Sequence, residues 1–312
     1  ATAMEAEARS SGKRLSYLVS KHKFHPEGMA KASSRAPLVR ISSTRKAKRR
    51  PAENSQVPQN RQGIGKKISS RSAIVLDSET GEVIYSLRPD RPAQPASTIK
   101  ILTGLIAIQS LEDQDWVSAS RRAAGMPRSK IYIKHGKSYR AGDMINAVLL
   151  SSANDASVAL AEKIAGSERV FAKLMTHKAK AWGAENTVCK TASGLTARGQ
   201  KSTARDLAVL FNRAMENDEF AKRIGRKKVR TGYGKLLRNH NRALWRIEGS
   251  EGGKTGFTKA ARQTYVGKFK RGDDELTVAV MGSVTMWDDI KNLVEYGFGQ
   301  KKREEMFTAA AK

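Results

Sequence analysis

The chain has 312 residues, of which 39% are hydrophobic, enough for one large or two small domains with a buried core. Its net charge of +28 exceeds what solubility requires and indicates polyanionic surroundings such as nucleic acid, anionic lipid headgroups or acidic polymers. The single cysteine, Cys189, excludes an intrachain disulfide and is expected to be a half-buried small apolar residue, while the absence of a long hydrophobic run excludes a membrane span.

Residues 1–69 are rich in Ser, Lys, Arg, Pro and Gln and contain only scattered hydrophobic residues. Such a segment cannot offset the entropy lost on ordering, so we predict a disordered basic arm. The basic run at residues 45–50 fits a nucleic-acid or localisation patch, or a solvated linker that contacts polyanions weakly. Only Tyr17 and Phe24 accompany the basic residues of the arm, so we expect no specific nucleic-acid partner.

Order is predicted to begin near Ser72 with a hairpin. Hydrophobic residues at 73–76 and 83–85 flank a turn-type sequence that ends at Gly81. The sequence from Ser97 to Ala107 is hydrophobic almost all round, which predicts a helix that begins at Ser97 and lies in the middle of a domain.

Hydrophobic periodicity predicts an all-helical middle of the chain, with helices over residues 141–150, 154–165, 169–182 and from Thr203. Segments 263–269 and 275–281 then alternate as a strand pair, and a last helix is expected around residues 288–296. Strands at both ends with helices between them predict an α+β fold in which both ends of the chain complete one antiparallel sheet.

The first of three short motifs is Ser97-Thr98-Ile99-Lys100, of the form S-x-x-K. The same pattern occurs at Ser10, Ser20 and Ser43, but these lie in the polar arm, whereas Ser97 opens a hydrophobic helix with Lys100 one turn later on the same face. A partly desolvated lysine can accept the proton of a serine hydroxyl, so we interpret Ser97 as a nucleophile and Lys100 as its base. The alternative is an N-cap serine beside a surface lysine.

The second motif, Ser152-Ala153-Asn154, follows a hydrophobic run and precedes a predicted helix. On such a turn Ser152 could relay a proton to a leaving amine and Asn154 could hydrogen-bond a substrate amide. Ordinary helix capping by Asn154 is the alternative.

The third motif, Lys254-Thr255-Gly256, lies in a predicted strand whose glycines indicate close approach of another backbone. An edge strand of this kind pairs with an extended peptide, and Lys254 and Thr255 would then face its terminal carboxylate. The alternative is an exposed basic strand with a turn glycine. Because all three motifs occur in one order within the ordered region, we expect them to form one site.

With these motifs, the segments at residues 95–100, 151–156, 193–195 and 202–206 resemble the low-molecular-weight penicillin-binding proteins of the D-alanyl-D-alanine carboxypeptidase type. The resemblance covers about residues 72–298. It implies a β-lactamase/transpeptidase-like α+β fold, with helices on both faces of an antiparallel sheet and a helical subdomain. The expected domains are the arm at 1–69, a penicillin-binding serine D,D-peptidase domain at 70–300 and a short C-terminal tail at 301–312.

The resemblance also implies a reaction, the removal of the terminal D-alanine from peptidoglycan stem pentapeptides. Ser97 attacks the carbonyl of the penultimate D-alanine while Lys100 takes its proton, and the backbone N–H groups of Ser97 and Phe257 form the oxyanion hole. β-Lactams are expected to acylate Ser97 and remain attached.

The remaining motif residues are assigned to proton transfer and substrate binding by the same resemblance. Ser152 and Lys254 pass a proton to the departing D-alanine, and Thr255 binds its carboxylate. The predicted catalytic residues are therefore Ser97, Lys100 and Ser152, and the predicted substrate-binding residues are Asn154, Lys254, Thr255, Gly256 and Phe257.

Two positions depart from the family pattern. Met286 stands where an arginine often helps to position the terminal carboxylate, so a D,D-endopeptidase that cleaves crosslinks is an alternative. Phe257 stands where some relatives carry a histidine, which bears on deacylation. The motifs also fit a non-catalytic wall-binding relative or a β-lactamase, but the glutamate-bearing loop of a β-lactamase is not found between Ser152 and Lys254, so slow hydrolysis is expected.

No cluster of histidine or acidic residues has metal-ligand spacing, so no cofactor is predicted. The predicted partners are peptidoglycan stem peptides and β-lactams, with the arm contacting anionic wall polymers or a membrane surface. The chain begins at Ala1 with no hydrophobic signal core, so either a signal peptide was already removed or the protein never had one. The resemblance implies a periplasmic or cell-envelope location, and we therefore expect a secreted protein whose signal peptide is not present in this chain.

Overall fold

The structure is a computed structural model that describes residues 64–310. Within them, the chain forms the strands β1 (Ser72–Asp77), β2 (Val83–Leu87), β3 (Trp116–Ser118), β4 (Ser138–Arg140), β5 (Lys228–Arg230), β6 (Leu236–Arg238), β7 (Ser250–Thr258), β8 (Arg262–Arg271) and β9 (Asp274–Ser283).

The helices of the same region are α1 (Lys100–Ser110), α2 (Arg121–Ala124), α3 (Ala141–Leu149), α4 (Asn154–Ala165), α5 (Glu168–Ala181), α6 (Ala204–Met215), α7 (Asp218–Ile224), α8 (Ala243–Arg246) and α9 (Met286–Ala310). Two short 3₁₀ turns lie at Gly65–Lys67 and Ala96–Ile99.

Five strands form one antiparallel sheet in the order β2-β1-β9-β8-β7. Strand β1 pairs with β2 on one side and with β9 on the other, so Val75 lies opposite both Tyr85 and Val278. The early hairpin and the sheet completed by both ends of the chain are therefore confirmed. Strand β7, which carries the third motif, lies at an edge of this sheet.

Alternate side chains of the sheet enter two separate cores. Ile74 and Leu76 of β1 pack with α1, α3, α4 and α6, whereas Ala73 and Val75 pack on the opposite face with α9. This division follows from the two-residue period of a strand. Helices cover both faces of the sheet, as predicted.

A third core joins the helices on the side of α1 that faces away from the sheet. Ile99 and Leu102 pack there with Phe171 of α5 and Leu210 of α6. Helix α1 is consequently buried along most of its length, which its almost uniformly hydrophobic sequence predicts. Cys189 lies in the same core as a free thiol, and burial raises its pKa to about 12.

Two details of the predicted elements are wrong. The helix expected from Ser97 begins at Lys100, because Ala96 has a φ of +51° and the chain turns through Ala96–Ile99 first. The middle of the chain is also not all helical, since it contains the antiparallel pair β3–β4 and the hairpin β5–β6. Their strands have three residues each, too few for a two-residue alternation to be recognised.

The predicted arm lies outside the described residues except for 64–69. In that stretch, the backbone N–H of Ser69 donates a 2.8 Å hydrogen bond to Asp289 of α9. Residues 301–310, predicted as a tail, continue α9 as helix. The division into arm, domain and tail stays a prediction. Among the helices of residues 64–310, none combines the length and the hydrophobicity that crossing a membrane requires.

Candidate active site

Ser97 lies in a tight turn that precedes a buried helix. The hydroxyl of Thr264 on β8 donates a 2.9 Å hydrogen bond to the carbonyl of Pro95, which ties the turn to the sheet. Gly194 approaches from the other side, where an added Cβ would lie 2.0 Å from the carbonyl oxygen of Ala96. The turn is held between two parts of the fold, and this fixes the position of the Ser97 hydroxyl.

Lys100 is the first residue of α1 and is fully buried. Burial, followed by the nearby charge of Lys254, holds the pKa of Lys100 well below its usual value, and the charge of Asp155 opposes this shift. A lysine in this environment is a neutral amine over a much wider pH range than an exposed one, so it can act as a base.

The amine of Lys100 has three oxygen neighbours. Its Nζ lies 2.8 Å from Ser97 Oγ, 2.7 Å from Asn154 Oδ1 and 2.6 Å from the carbonyl oxygen of Ser193. Two of these are carbonyl oxygens, which only accept hydrogen bonds. A neutral amine therefore directs its two N–H groups to Asn154 and Ser193, and its lone pair faces the hydroxyl of Ser97.

The second motif lies on the turn between α3 and α4, as predicted. Ser152 is buried and has a φ of +56°, an uncommon conformation for a residue with a side chain. Asn154 does not cap its helix, because its Nδ2 donates to the carbonyls of Pro127 (3.1 Å) and Arg128 (3.0 Å). Since both ends of this amide contact the protein, the predicted substrate contact of Asn154 stays a prediction.

Lys254 lies in the edge strand β7, and its amine contacts the second motif. Its Nζ donates to Ser152 Oγ at 3.0 Å and to the carbonyl of Thr255 at 3.1 Å. Burial lowers the pKa of Lys254 to about 7. Near neutral pH this amine therefore exists in both protonation states, which suits a group that exchanges protons with Ser152.

Gly256 allows β7 to approach the nucleophile closely. A Cβ at this residue would lie 2.8 Å from the backbone nitrogen of Ser97 and 2.5 Å from Thr264 Oγ1. The next residue, Phe257, has a side chain that is 67% exposed. The backbone of β7 and the turn of Ser97 therefore lie side by side, where both predicted oxyanion-hole amides belong.

One cleft of about 580 Å³ collects the predicted residues. Its wall includes Ser97, Ser152, Asn154, Thr255, Gly256 and Phe257. Lys100 and Lys254 lie beneath this wall and reach it through their hydrogen bonds to Ser97 and Ser152. The structure thus brings all eight predicted residues together, while the role of each stays a prediction.

Several cleft residues were missed by the sequence interpretation. Arg128, His240, Arg242 and Trp287 line the cleft, and they come from loops and short elements far apart in the chain. Ser193 was recognised only as part of segment 193–195, and its contact with Lys100 was not predicted. The contact is made by a backbone carbonyl, which leaves no signal in a sequence. Burial and the charges of Lys254 and Lys100 lower the pKa of His240 to about 4, so its imidazole is neutral at pH 7.

Met286 lines the cleft. In the family that the sequence resembles, an arginine often stands at this position. Its backbone N–H donates a 3.0 Å hydrogen bond to Gln263 Oε1, which also lies in the cleft wall. The arginines that do line the cleft are Arg128 and Arg242. Within residues 64–310, no three His, Cys, Asp or Glu residues are grouped closely enough to hold a metal ion.

Residues 55–285 match the sequence profile of the D-alanyl-D-alanine carboxypeptidase family. The chain belongs to this family. It is a serine peptidase, and the family, the enzyme class and the penicillin-binding-protein fold predicted from the three motifs are confirmed.

Named relatives of this carboxypeptidase include DacB2 of Mycobacterium tuberculosis, which is 36% identical over 236 residues, 72% of this chain and 81% of that protein. A crystal structure of a D-alanyl-D-alanine carboxypeptidase from M. tuberculosis H37Rv has a TM-score of 0.70 and 33% identity, and covers 80% of this chain and 95% of its own. The crystal structure of penicillin-binding protein D2 of Listeria monocytogenes in an ampicillin-bound form has a TM-score of 0.68 and 28% identity. The match covers 74% of this chain and 98% of the Listeria chain. Several longer carboxypeptidases are spanned for only 58 to 64% of their length.

Proposed function

We propose that this carboxypeptidase removes the terminal D-alanine from peptidoglycan stem pentapeptides through an acyl-enzyme on Ser97. The observation that carries the proposal is the 2.8 Å contact between Ser97 Oγ and the buried amine of Lys100, at the wall of a cleft bordered by an edge strand. The names of its relatives support the choice of substrate.

The substrate binds as an extended peptide along β7. An edge strand offers backbone hydrogen bonds to such a peptide, and Thr255 and Phe257 line the cleft at this edge. The carbonyl under attack then lies between the backbone N–H groups of Ser97 and Phe257, which stabilise the oxyanion.

Acylation forms an ester bond to Ser97 and breaks the terminal amide bond. The lone pair of Lys100 takes the proton of the Ser97 hydroxyl as Oγ attacks the carbonyl of the penultimate D-alanine. The tetrahedral intermediate then loses the terminal D-alanine as the amide C–N bond breaks. An ester between Ser97 and the shortened peptide remains.

The departing amine needs a proton, and Ser152 and Lys254 supply it. Their 3.0 Å hydrogen bond links the cleft wall to an amine with a pKa of about 7, which is partly protonated at neutral pH. The proton that Lys100 took from Ser97 replaces the one given up by Lys254, so Lys100 is again a neutral amine. Water then attacks the ester as Lys100 takes its proton, and Lys100 returns that proton to Ser97 Oγ as the shortened peptide leaves.

β-Lactams are expected to acylate the same serine. The Listeria relative is named as a penicillin-binding protein in an ampicillin-bound form. In the present chain the leaving group of a β-lactam stays attached to the acyl group, so Ser97 would be blocked. We place the reaction in the cell envelope, where peptidoglycan is found.

The test combines penicillin labelling with peptide hydrolysis. Wild type, Ser97→Ala and Ser151→Ala are incubated with a fluorescent penicillin and separated on a denaturing gel. Ser151 is the matched control because its hydroxyl contacts the backbone of Arg238 rather than Lys100 or Lys254. D-Alanine release is then measured on a stem pentapeptide and on a crosslinked dimer.

We expect a covalent band for wild type and Ser151→Ala and none for Ser97→Ala, with D-alanine released from the pentapeptide. Folded wild type without a covalent band would contradict the acyl-serine mechanism. Cleavage of the crosslinked dimer with no release from the pentapeptide would replace the carboxypeptidase by an endopeptidase.

A further inference from the structure

A strongly basic surface lies beside the cleft. Residues 225–247 contain eight Lys or Arg residues and neither Asp nor Glu. We define the hairpin surface by the six members of this set that are exposed, namely Lys227, Lys228, Arg230, Arg238, Arg242 and Arg246. In the part of the chain that the structure describes, none of the six forms an ion pair, whereas cations elsewhere such as Lys268, Arg271 and Lys301 do.

The backbone of β5 and β6 concentrates positive charge on one face. Lys228 and Arg230 alternate with the partly buried Val229, so both side chains point outward. Lys228 pairs directly with Arg238 of β6, which is also exposed. Like charges placed opposite each other on a strand pair destabilise it, so the folded hairpin carries a repulsion that a bound anion would relieve.

The surface continues into the catalytic cleft. Ser151 Oγ donates a 3.2 Å hydrogen bond to the carbonyl of Arg238, and the N–H of His240 donates a 3.0 Å bond to the carbonyl of Leu150. These bonds join the end of β6 to the turn that bears Ser152. Arg242 lines the cleft itself, and its side chain forms no hydrogen bond or ion pair within residues 64–310.

A part of the surface that does not line the cleft carries an aromatic ring. Trp245 is 53% exposed, and Lys227 Nζ lies 5.8 Å from the centre of its ring. Arg242 precedes helix α8 and Arg246 ends it, so the two residues are four positions apart. Like charges at this spacing repel each other, and an anionic partner would relieve the repulsion.

We propose that the hairpin surface binds the carboxylate-bearing stem peptides that neighbour the reacting stem on polymeric peptidoglycan. The inference rests on the proposed function: a polymer with one stem in the cleft would lay adjacent stems along Arg242 toward Arg238 and Lys228. Its continuity with the cleft favours this partner over nucleic acid, which would have no reason to approach the catalytic serine. The enzyme therefore acts better on the polymer than on an isolated stem.

The experiment measures binding separately from hydrolysis. Sedimentation with insoluble peptidoglycan is performed in a Ser97→Ala background at two salt concentrations. The test variant is Lys228→Gln/Arg230→Gln/Arg238→Gln, and the matched control removes the same charge from exposed cations of α5, Arg169→Gln/Lys173→Gln/Lys180→Gln. Helix α5 contributes no residue to the cleft.

We expect the hairpin variant to bind peptidoglycan at least tenfold more weakly at low salt and with a smaller salt dependence, while the α5 variant changes less than twofold. With Ser97 restored, acylation by fluorescent penicillin should be equal in both variants, whereas D-alanine release from the polymer should fall only in the hairpin variant. A second variant, Lys227→Gln/Arg246→Gln, should weaken polymer binding in the same direction.

An equal loss of peptidoglycan binding in the hairpin variant and the α5 variant would overturn the proposal, because it would indicate a general effect of net charge. So would a hairpin variant that loses binding to double-stranded DNA but keeps peptidoglycan binding. If wild type is not labelled by penicillin yet peptidoglycan binding depends on the hairpin, the proposed catalytic function fails and the binding surface stands.

Discussion

Two buried lysine amines, Lys100 and Lys254, define the chemistry of the site at the scale of single residues. Their exposed fractions are 0% and 1%, and within residues 64–310 no carboxylate lies at ion-pair distance from either. An unpaired buried ammonium is costly, so both pKa values fall, and each amine can take up or release a proton during the reaction.

Lys100→Met should remove the base while keeping an unbranched side chain of nearly the same length. General acid–base catalysis typically contributes about 10²–10⁴-fold, so we expect the rate of Ser97 acylation to fall at least ~100-fold. Labelling with fluorescent penicillin, quenched at successive times, measures the rate of acylation. Circular dichroism checks that the variant is folded. Lys173→Met on α5 is the control, since this lysine is exposed. A Lys100→Met rate above one tenth of wild type would mean that another group is the base.

Lys254→Met should raise stability while it lowers activity. The pKa of Lys254 falls from 10.5 to about 7 on folding, so the unfolded chain binds more protons between these values. Wild-type stability should therefore rise as pH increases from 7 to 10.5, and the cost of burial is fully present below pH 7. Allowing for the lost hydrogen bond to Ser152, we expect the variant to gain about 2–4 kcal/mol at pH 7.

Urea denaturation at pH 6, 7, 9 and 10 measures this effect. The advantage of Lys254→Met should be greatest at pH 6 to 7 and should shrink toward pH 10. A gain that is constant with pH would show that burial of the charge is not its cause. Lys190→Met, at an exposed lysine, controls for the general effect of removing a positive charge.

At the scale of elements, the site depends on how closely β7 approaches the turn of Ser97. Gly256→Ala would place a Cβ 2.5 Å from Thr264 Oγ1, 2.8 Å from the Ser97 nitrogen and 3.0 Å from Ala96 Cβ. Because one of these neighbours is backbone, the strand has to shift. A misplacement on the order of 1 Å can cost ~10²-fold, so we expect acylation by penicillin to slow by more than tenfold.

Gly299→Ala is the matched control, since a Cβ at this position in α9 would meet no atom within 4 Å. It should leave acylation unchanged and stabilise the helix by about 1 kcal/mol. Equal acylation rates for Gly256→Ala and wild type would contradict the need for close approach between β7 and the nucleophile.

Sequence patterns located the long elements, although they ended α9 too early, and they missed the short ones. Helix α4 occupies the predicted residues, because its hydrophobic periodicity extends over three turns and Gly166 ends it with a φ of +72°. The hairpin β5–β6 was missed because its strands have three residues each. Its stability depends on tertiary contacts such as the burial of Leu237, which a local pattern does not contain.

The motif residues of the site were predicted, but their surroundings were not. Ser97 and Lys100 are one turn apart, so local spacing alone brings them together. The contact between Lys100 and Asn154 joins residues 54 positions apart, and that between Lys254 and Ser152 joins residues 102 apart. Such contacts arise from packing of the whole fold. The pairing of Lys254 with Ser152 was anticipated only through the resemblance to a known family, and the contact between Lys100 and Asn154 was not predicted.

At the scale of the whole molecule, the two ends of the described chain meet at a buried carboxylate. Asp289 of α9 is fully buried and accepts hydrogen bonds from the N–H and hydroxyl of Ser69 and from the hydroxyls of Ser70, Ser283 and Thr285. Ser69 and Ser70 precede β1, and Ser283 ends β9. One side chain therefore joins the entry to the sheet, its central strand pair and the last helix.

Asp289→Ala should destabilise the protein strongly, because it leaves several buried donors without an acceptor. We expect a loss of about 3 kcal/mol, which corresponds to a melting temperature lower by roughly 6–12 °C for a domain of this size. Asp288→Ala is the control, since the neighbouring carboxylate is exposed and should change stability by less than about 0.5 kcal/mol. The measurement is thermal unfolding followed by circular dichroism, together with penicillin labelling below the transition. Because the contacts of Asp289 join the segment before β1, the end of β9 and helix α9, labelling and secondary structure should be lost in one transition. A variant that melts in two steps would show that the sheet does not depend on this junction.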